Sequence, residues 1–517
     1  MWWWLACAGP DRPGVLDDGV PVDVWAEPGP RCDVPGGPWV GSTLPGEPDR
    51  ELFFTAQGLG LADLDGDEVE DLIVTGRVDT WTFAGTGGGS FAAVDWLPGD
   101  WPDSAGVTFA DHDGDGDLDV LLTRYLAANA LFRNDGGGRF TEVAAEAGLS
   151  AEPRRSIPSS WGDYDRDGDL DLWIGGFGFI DESDGDPYHL DFPPAEPDWL
   201  YVNDGDGTFT DRSDLLPPEV HDGYALAGGW HDVDGDGWLD LYPIFDFGQS
   251  YPSRLLWNRE GTLVADGGVS GLDVTATGMG LGAGDLNADG IDDFLVPAWD
   301  GNWLLLSGES GLGWFDYEDL LGPRNDRSRG QKIAWGGELA DLDNDGDLDG
   351  TMTYGFLDAR YPNRRDQPDA VYVHQPDGQL LDEAPALGLD QPTVGRGSVV
   401  HDVDGNGALD WIRLDLAGPT SIHRAPCTAG AWLQLRLRQA GPNTHAVGAR
   451  VLAVSEGRVI GGVVRAGGVN YASSGPPEIH LGLGDVDAVE RLEIRWPDGE
   501  VSVLRDVEAR QRLTVTR

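Results

Sequence analysis

The sequence predicts an all-β protein, a seven-bladed β-propeller followed by a small C-terminal β-sandwich-like domain. Three observations carry that expectation. An acidic loop pattern recurs seven times at near-regular spacing, each copy sits between β-like runs, and the composition changes after Cys427. The pattern is plainest in DHDGDGDLDVLL, where Asp111, Asp113, Asp115 and Asp119 occupy relative positions 1, 3, 5 and 9. It recurs from Asp63, Asp163, Asp232, Asp285, Asp341 and Asp402, with successive starts 48, 52, 69, 53, 56 and 61 residues apart. Such a period suits stacked blades.

Each repeat follows one grammar. A small or apolar strand enters the loop (LGLA before Asp63, VTFA before Asp111, SSWG before Asp163, GGWH before Asp232) and a second leaves it, as in DLIVTG, DVLLTR and DLWIGG. Two more short strands surround a Gly-rich turn, clearest in ALFRNDGGGRFTEV and WLYVNDGDGTFTD, where Asn134 or Asn203 starts the turn and Phe140 or Phe209 begins the returning strand. Four short strands per repeat with frequent turn signals match a propeller blade. The last repeat lacks a returning strand before Cys427. The run LFFTAQGLG resembles RFTEVAAEAGL of the second repeat, so Leu52–Thr55 is expected to supply that outer strand and close the ring, protecting its edges.

On this reading residues 8–50, rich in Pro, Gly and Asp, form a loosely ordered lead-in, 51–426 the propeller, and 427–517 a separate β domain. Two insertions, FIDESDGDPYHLDFPPAEPD and GPRNDRSRGQK with the only lysine, Lys332, are length variation on the rim or partner-binding edges. Beyond Cys427, WLQLRLR, GARVLAV, VIGGVVR, EIHLGLG, VERLEIRW and VSVLRDV alternate as half-buried strands of an antiparallel sheet or sandwich. Trp496-Pro497-Asp498-Gly499 turns between the last two.

Alternating carboxylates in a tight loop suit a hard cation such as calcium, which takes about six to eight oxygen ligands. The candidate ligands are, loop by loop, Asp63, Asp65, Asp67, Val69 and Asp71; Asp111, Asp113, Asp115, Asp117 and Asp119; Asp163, Asp165, Asp167, Asp169 and Asp171; Asp232, Asp234, Asp236, Trp238 and Asp240; Asp285, Asn287, Asp289, Ile291 and Asp293; Asp341, Asp343, Asp345, Asp347 and Asp349; and Asp402, Asp404, Asn406, Ala408 and Asp410. Position 7 varies freely, as expected if only its carbonyl is used. Up to seven Ca2+ ions are therefore expected. Position 6 is Gly in six loops and Glu68 in the first, which is expected to be the weakest in geometry. An EF-hand is excluded, because position 12 is Leu122, Ile174 or Pro243 in three loops and the flanks read as strands. The plain alternative, a surface turn like Asp204–Gly207, does not account for seven in-phase copies with 26 carboxylates at positions 1, 3, 5 and 9, whose repulsion would be costly without a cation. Magnesium demands a stricter octahedron, and neither Cys nor His recurs at a ligating phase for a transition metal.

The formal charge of −57 excludes a nucleic-acid partner, which needs a basic footprint, and seven calcium ions would still leave −43. No stretch approaches the roughly 18 apolar residues of a spanning helix. The start MWWWLACAG, residues 1–7 above all, resembles the remnant of a bacterial lipoprotein signal with Cys7 as the lipidated residue, a lipid anchor in place of a span, although it lacks a basic n-region. Cys32 and Cys427 bracket all seven loops, which motivates a disulfide near the ring's closure, with buried or unpaired cysteines as the alternative.

The repeats resemble the FG-GAP/VCBS type. The tail resembles the ASPIC/UnbV domain on Gly448-Ala449-Arg450-Val451, the Gly-rich run with Tyr471 and Ser473, His480-Leu481-Gly482-Leu483-Gly484, and Arg495-Trp496-Pro497-Asp498-Gly499. Together they are similar to the cartilage acidic protein family. That resemblance implies a seven-bladed propeller with calcium between the first two strands of blades, and no enzymatic role that carries over. The expected function is a non-catalytic, calcium-binding protein, secreted or at the bacterial cell surface, acting as a binding or adhesion module for an extracellular protein or glycan. The alternative is a propeller enzyme acting on extracellular polysaccharide; His112, His231 and His401 flank loops at different phases and no nucleophile accompanies them.

Overall fold

A computed structural model describes residues 19–30, 32, 35–45, 57–178, 195–299, 301–308, 313–321, 332–356 and 366–517. Cys7, residues 51–56 and most of the two insertions lie outside that set. Each acidic repeat is built on four antiparallel strands, and those of the second and third repeats are joined into one sheet where Tyr125 and Ala127 pair with Arg155 and Arg154. The first comprises Leu59–Ala62, Asp71–Val74, Trp81–Gly85 and Phe91–Val94, paired in that order. The same order recurs over 104–142, 154–211, 224–265, 282–316 and 334–382, with the acidic loop always between the first and second strands.

The entering strands line the centre. They are buried along their whole length in the first, second and fourth repeats and from Ser156 onward in the third, and their Gly, Ala and Ser content suits strands crowded by neighbours on both sides. Leu59–Ala62 lies beside Ser104–Ala110, that beside Arg154–Gly162, and that beside Tyr224–His231; Gly282–Gly284 lies beside Ala334–Ala340, that beside Gly395–His401, and that returns to Leu59–Ala62. The sheets thus follow one another around a propeller-like arrangement.

The seventh sheet corrects the expected closure. Gly395–His401, Asp410–Asp415 and Ser421–Arg424 are completed by Val40–Thr43, antiparallel to the third strand with Val40 opposite Arg424 and Thr43 opposite Ser421. The outer strand therefore comes from the Pro/Gly-rich lead-in rather than from Leu52–Thr55. WVGST carries no periodic apolar signal because an outer edge strand exposes its side chains, three of four here. Its register is held by what flanks it: Leu44, buried, donates its N–H to Thr420 O at 3.1 Å, and Cys32 is joined to Cys427 by a disulfide with the Cα atoms 5.6 Å apart.

The lead-in is ordered a second time. Asp23–Pro28 pairs antiparallel with Gln511–Thr516 in the tail domain, so the described part of the lead-in is not a simple tether. That domain stacks two four-stranded sheets. One runs Asp23–Pro28, Gln511–Thr516, Ala431–Arg438, Ile479–Gly484, and the other Arg458–Val463, Arg450–Ser455, Ala488–Arg495, Val501–Glu508. The antiparallel expectation fails at one pair, since Ala431–Arg438 runs parallel to Gln511–Thr516. This strand, QRLTVT, follows the two that the Trp496–Gly499 turn joins and was not among the expected strands. Leu433, Leu435 and Leu437 share one buried cluster with Leu121, Leu131 and Trp161 of the second and third repeats, so the two domains have a continuous core.

The Gly-rich run of the tail enters the centre of the ring. Ala466 and Gly467 pair with Trp161 and Ser160 of the third repeat. Gly468 lies so close to Gly229 of the fourth that a Cβ on Gly229 would stand 2.2 Å from its Cα, which only glycine allows. Asn470 donates its N–H to Leu281 O at the fifth repeat and its side-chain amide to Glu338 Oε1 of the sixth and Ser398 O of the seventh. Tyr471 meets Trp335 edge-to-face at 5.0 Å. Ala472 O accepts from Val107 N of the second repeat at 3.3 Å, and Ser473 Oγ and Ser474 O accept from Leu59 N and Leu61 N of the first at 3.0 and 2.9 Å. One segment, 466–474, therefore touches all seven repeats.

Adjacent repeats are also joined at the loop face. Asn134 Nδ2 donates to Leu118 O of its own loop and to Leu64 O of the preceding one; Asn203 does so to Leu170 O and His112 O, and Asn258 to Leu239 O and Tyr164 O. All three asparagines are buried.

Replacing Asn203 with Ala should strand two buried carbonyls and cost about 1–3 kcal/mol in denaturant unfolding, whereas the exposed Asp204→Ala should cost well under that. Deleting residues 40–43 should lower the melting temperature and broaden the transition even with the disulfide intact; an unchanged melt would refute this closure. Glu338, half-buried in its strand, has its pKa raised to about 8 by desolvation despite bonds from Val400 N–H and Asn470. A carboxyl whose folded value lies above its unfolded one contributes stability at low pH that is lost as pH rises through the folded value. Glu338→Gln should therefore gain on the wild type in Tm as pH rises from about 5 to about 9.

Candidate metal centre

The seven loops share one backbone. Position 6 adopts positive φ throughout, from 86° at Gly237 and Gly407 to 103° at Gly168, and Glu68 takes 68° in the first loop. The glycine exception therefore leaves the loop's shape unchanged and costs only the strain of a side chain in the left-handed region, about 1 kcal/mol. Position 4 is left-handed in every loop too, at Gly66, Gly114, Arg166, Gly235, Ala288, Asn344 and Gly405. Sequence reasoning missed this requirement, because three of the seven occupants are not glycine.

Hydrogen bonds explain why those turns recur. The position 1 carboxylate accepts from backbone N–H groups inside its own loop, as Asp111 does from Gly114 and Gly116 at 2.8 and 2.9 Å and Asp402 from Gly405 and Gly407 at 2.9 Å each. The side chain at position 5 accepts from the N–H of position 7 in all seven, for example Asp67 from Val69 at 3.0 Å and Asn406 from Ala408 at 2.7 Å. The position 9 aspartate is buried in every loop. Its Oδ2 accepts from position 2 and its Oδ1 from the third strand, as Asp171 does from Tyr164 N at 3.1 Å and Asn203 N at 3.0 Å.

Position 9 thus anchors the loop to the sheet, a role the ligand reading alone did not include. It still converges with the others: carboxylate oxygens of Asp63, Asp65 and Asp71, and of Asp163, Asp165 and Asp171, come within 4.8 Å of one another, as do those of Asp111, Asp113 and Asp115. Carboxylate oxygens keep lone pairs beyond one hydrogen bond. In the third loop, Asp163 Oδ1, Asp165 Oδ1 and Asp169 Oδ1 are buried and have no hydrogen-bond partner, and Asp113 Oδ1 of the second is in the same state. Burial, and secondarily the neighbouring carboxylates, raise the pKa of Asp163 to about 7 and that of Asp410 to about 8, and push Asp171 well above the ordinary carboxylate range. A cation held among these oxygens would remove both penalties. The donor set, hard oxygens with orphaned lone pairs, fits calcium.

The histidines beside the loops have structural partners. His112 Nδ1 meets Asp119 Oδ2, His231 lies 3.7 Å from Asp292, and His401 lies 3.3 Å from Glu70. Glu70, His401 and Glu478 are close enough to hold an ion, but Arg436 bridges the two glutamates, so their charge is already compensated. Burial would raise the Glu70 pKa; His401 and Arg436 outweigh it and hold it at about 2.

The tail domain covers the loop face. Thr444 Oγ1 donates to Asp111 Oδ2, Arg450 to Gly290 O, and Arg465 to Asp292 Oδ2. Arg458 grips the sixth loop through Asp345 O at 2.9 Å and Asp347 Oδ1 at 2.7 Å, and Arg512 approaches Asp402 of the seventh at 3.6 Å. Of these, Arg450 and Arg465 lay in segments noticed from sequence, and Thr444, Arg458 and Arg512 did not.

Comparison with known proteins agrees with this anatomy. Residues 439–517 match the ASPIC and UnbV family, and 63–122, 111–174 and 232–296 match the FG-GAP-like repeat. Cartilage acidic protein 1 of Mus musculus is 28% identical over 279 residues, covering 53% of this chain and 42% of the mouse protein, and that of Homo sapiens is 28% identical over 264 residues, covering 50% and 39%. The matched region thus spans about two fifths of those relatives. Among solved structures, an Agrocybe aegerita lectin that recognises non-reducing terminal N-acetylglucosamine aligns with a TM-score of 0.42 at 16% identity over 82% of this chain and 92% of the lectin. YCF48 bound to D1 peptide aligns at 0.43 and 9%, over 77% and 98%. The chain carries FG-GAP-like repeats followed by an ASPIC and UnbV domain and is similar to cartilage acidic protein 1.

Proposed function

We propose that this protein is a calcium-stabilised, non-catalytic binding module that works outside the cytoplasm, its seven repeats forming the blades of one propeller. The observation that carries the metal reading is the third loop, where three buried carboxylate oxygens lack any hydrogen-bond donor while the backbone positions them as in the other six. A buried anion without a partner is costly, and a divalent cation is the compensation for which this spacing is suited. The Cys32–Cys427 disulfide supports an oxidising compartment, and no described helix is long and apolar enough to cross a membrane. The cartilage acidic proteins it resembles favour an extracellular setting. With the ring's centre occupied by 466–474 and its loop face covered by the tail, a protein or glycan partner is best accommodated on the outer strands or the opposite face.

An ion bound only by the folded state stabilises it by mass action. EDTA should lower the melting temperature markedly, and excess calcium should restore it where excess magnesium does so weakly. Asp163→Asn combined with Asp165→Asn should remove part of that calcium-dependent gain. A melt and near-UV dichroism indifferent to EDTA would refute the role for calcium.

A further inference from the structure

The fourth loop differs from its neighbours by one charge. In the second and third repeats the third strand ends in Asn134 and Asn203, and an acidic residue follows, Asp135 or Asp204. The fourth repeat ends the equivalent strand in Asn258, whose N–H reaches Asp240 Oδ1 at 2.7 Å just as Asn134 reaches Asp119 Oδ1 at 2.7 Å. The residue that follows is Arg259. Its Nη1 lies 2.8 Å from Asp234 Oδ2 and 3.4 Å from Asp236 Oδ2, the side chains at positions 3 and 5. The guanidinium is steadied by Trp257, whose ring centroid is 4.7 Å away and whose Nε1 donates to Asp266 Oδ1 at 2.6 Å. Among the described residues, no other ion pair joins a cation to position 3 or 5 of a loop. Arg458 meets position 7 and Arg512 position 1.

We propose that Arg259 takes the cation's place in the fourth loop, so that this repeat closes without a calcium ion and the ring binds one ion fewer than it has loops. The inference rests on the calcium reading above. Arginine suits the task because its charge is permanent and its planar donors can address two carboxylates at once. A divalent ion entering the loop would have to displace those bonds and bear the repulsion of a guanidinium about 4 Å away, a penalty of roughly tenfold or more in affinity. At positions 3 and 5 the other loops take their compensation from solution, and this one takes it from its own chain.

The test uses the full chain, stripped of divalent ions and titrated with calcium, with bound ions counted by native mass spectrometry and affinities read by calorimetry. Arg259→Ala should hold one more calcium ion than the wild type, and adding Asp234→Asn and Asp236→Asn should remove that ion alone. In EDTA Arg259→Ala leaves the fourth loop with neither arginine nor ion, so it should melt somewhat below the wild type there and regain the difference with calcium; Arg259 is half-exposed, so the loss should be small. Equal ion counts for the wild type and Arg259→Ala, with the remaining loops filled in both, would overturn the proposal while leaving the calcium reading intact. Absence of calcium from every form would overturn both.

Discussion

A buried carboxylate at the ninth position of each acidic loop is the interaction on which this architecture depends. Asp71, Asp119, Asp171, Asp240, Asp293, Asp349 and Asp410 each accept one backbone N–H from the loop and one from the third strand. A loop so pinned cannot drift from its sheet, and the carboxylates at positions 1, 3 and 5 are presented at a fixed place above it. The charge is costly to bury, and the backbone bonds offset only part of that cost. Loop placement and sheet geometry are therefore one problem in this fold, solved by the same side chain seven times.

The tail domain is a structural part of the ring. Its Gly-rich run touches every repeat at the centre, and its arginines descend on the acidic face. The two domains also differ in charge, since residues 427–517 carry 11 Arg against 10 Asp and Glu while the acidity lies in the rest of the chain. Acidic loops gathered on one face repel one another, and a cap that carries Arg436, Arg450, Arg458, Arg465 and Arg512 into contact with them lowers that repulsion without occupying the carboxylates at positions 3 and 5.

Much of this was legible in the chain. The period of the acidic pattern, the entering and leaving strands, and the Asn-started turn all folded as their composition dictates, because each is a local signal: turn chemistry, β-branched runs, small residues where strands crowd. What escaped was non-local or carried by weak residues. Val40–Thr43 is an edge strand whose exposed side chains leave no periodicity, so its pairing follows from a partner nearly four hundred positions away, with the disulfide separation of 395 residues as its nearest marker. Position 4 demands a left-handed backbone that Arg166, Ala288 and Asn344 meet without glycine. Asn203 read as a turn residue, yet its amide spans two loops, a role set by the neighbouring repeat and invisible within its own.

The pairing of early segments with late ones bears on how the protein is made. Asp23–Pro28 and Val40–Thr43 leave the ribosome long before their partners, Gln511–Thr516 and Ser421–Arg424. Neither sheet can be completed until those partners are made, and the central segment 466–474 arrives only after all the repeats it touches. Contacts of such sequence separation are slow to form because the loop they close is long. The nascent chain must therefore carry open edges while all the intervening repeats are made.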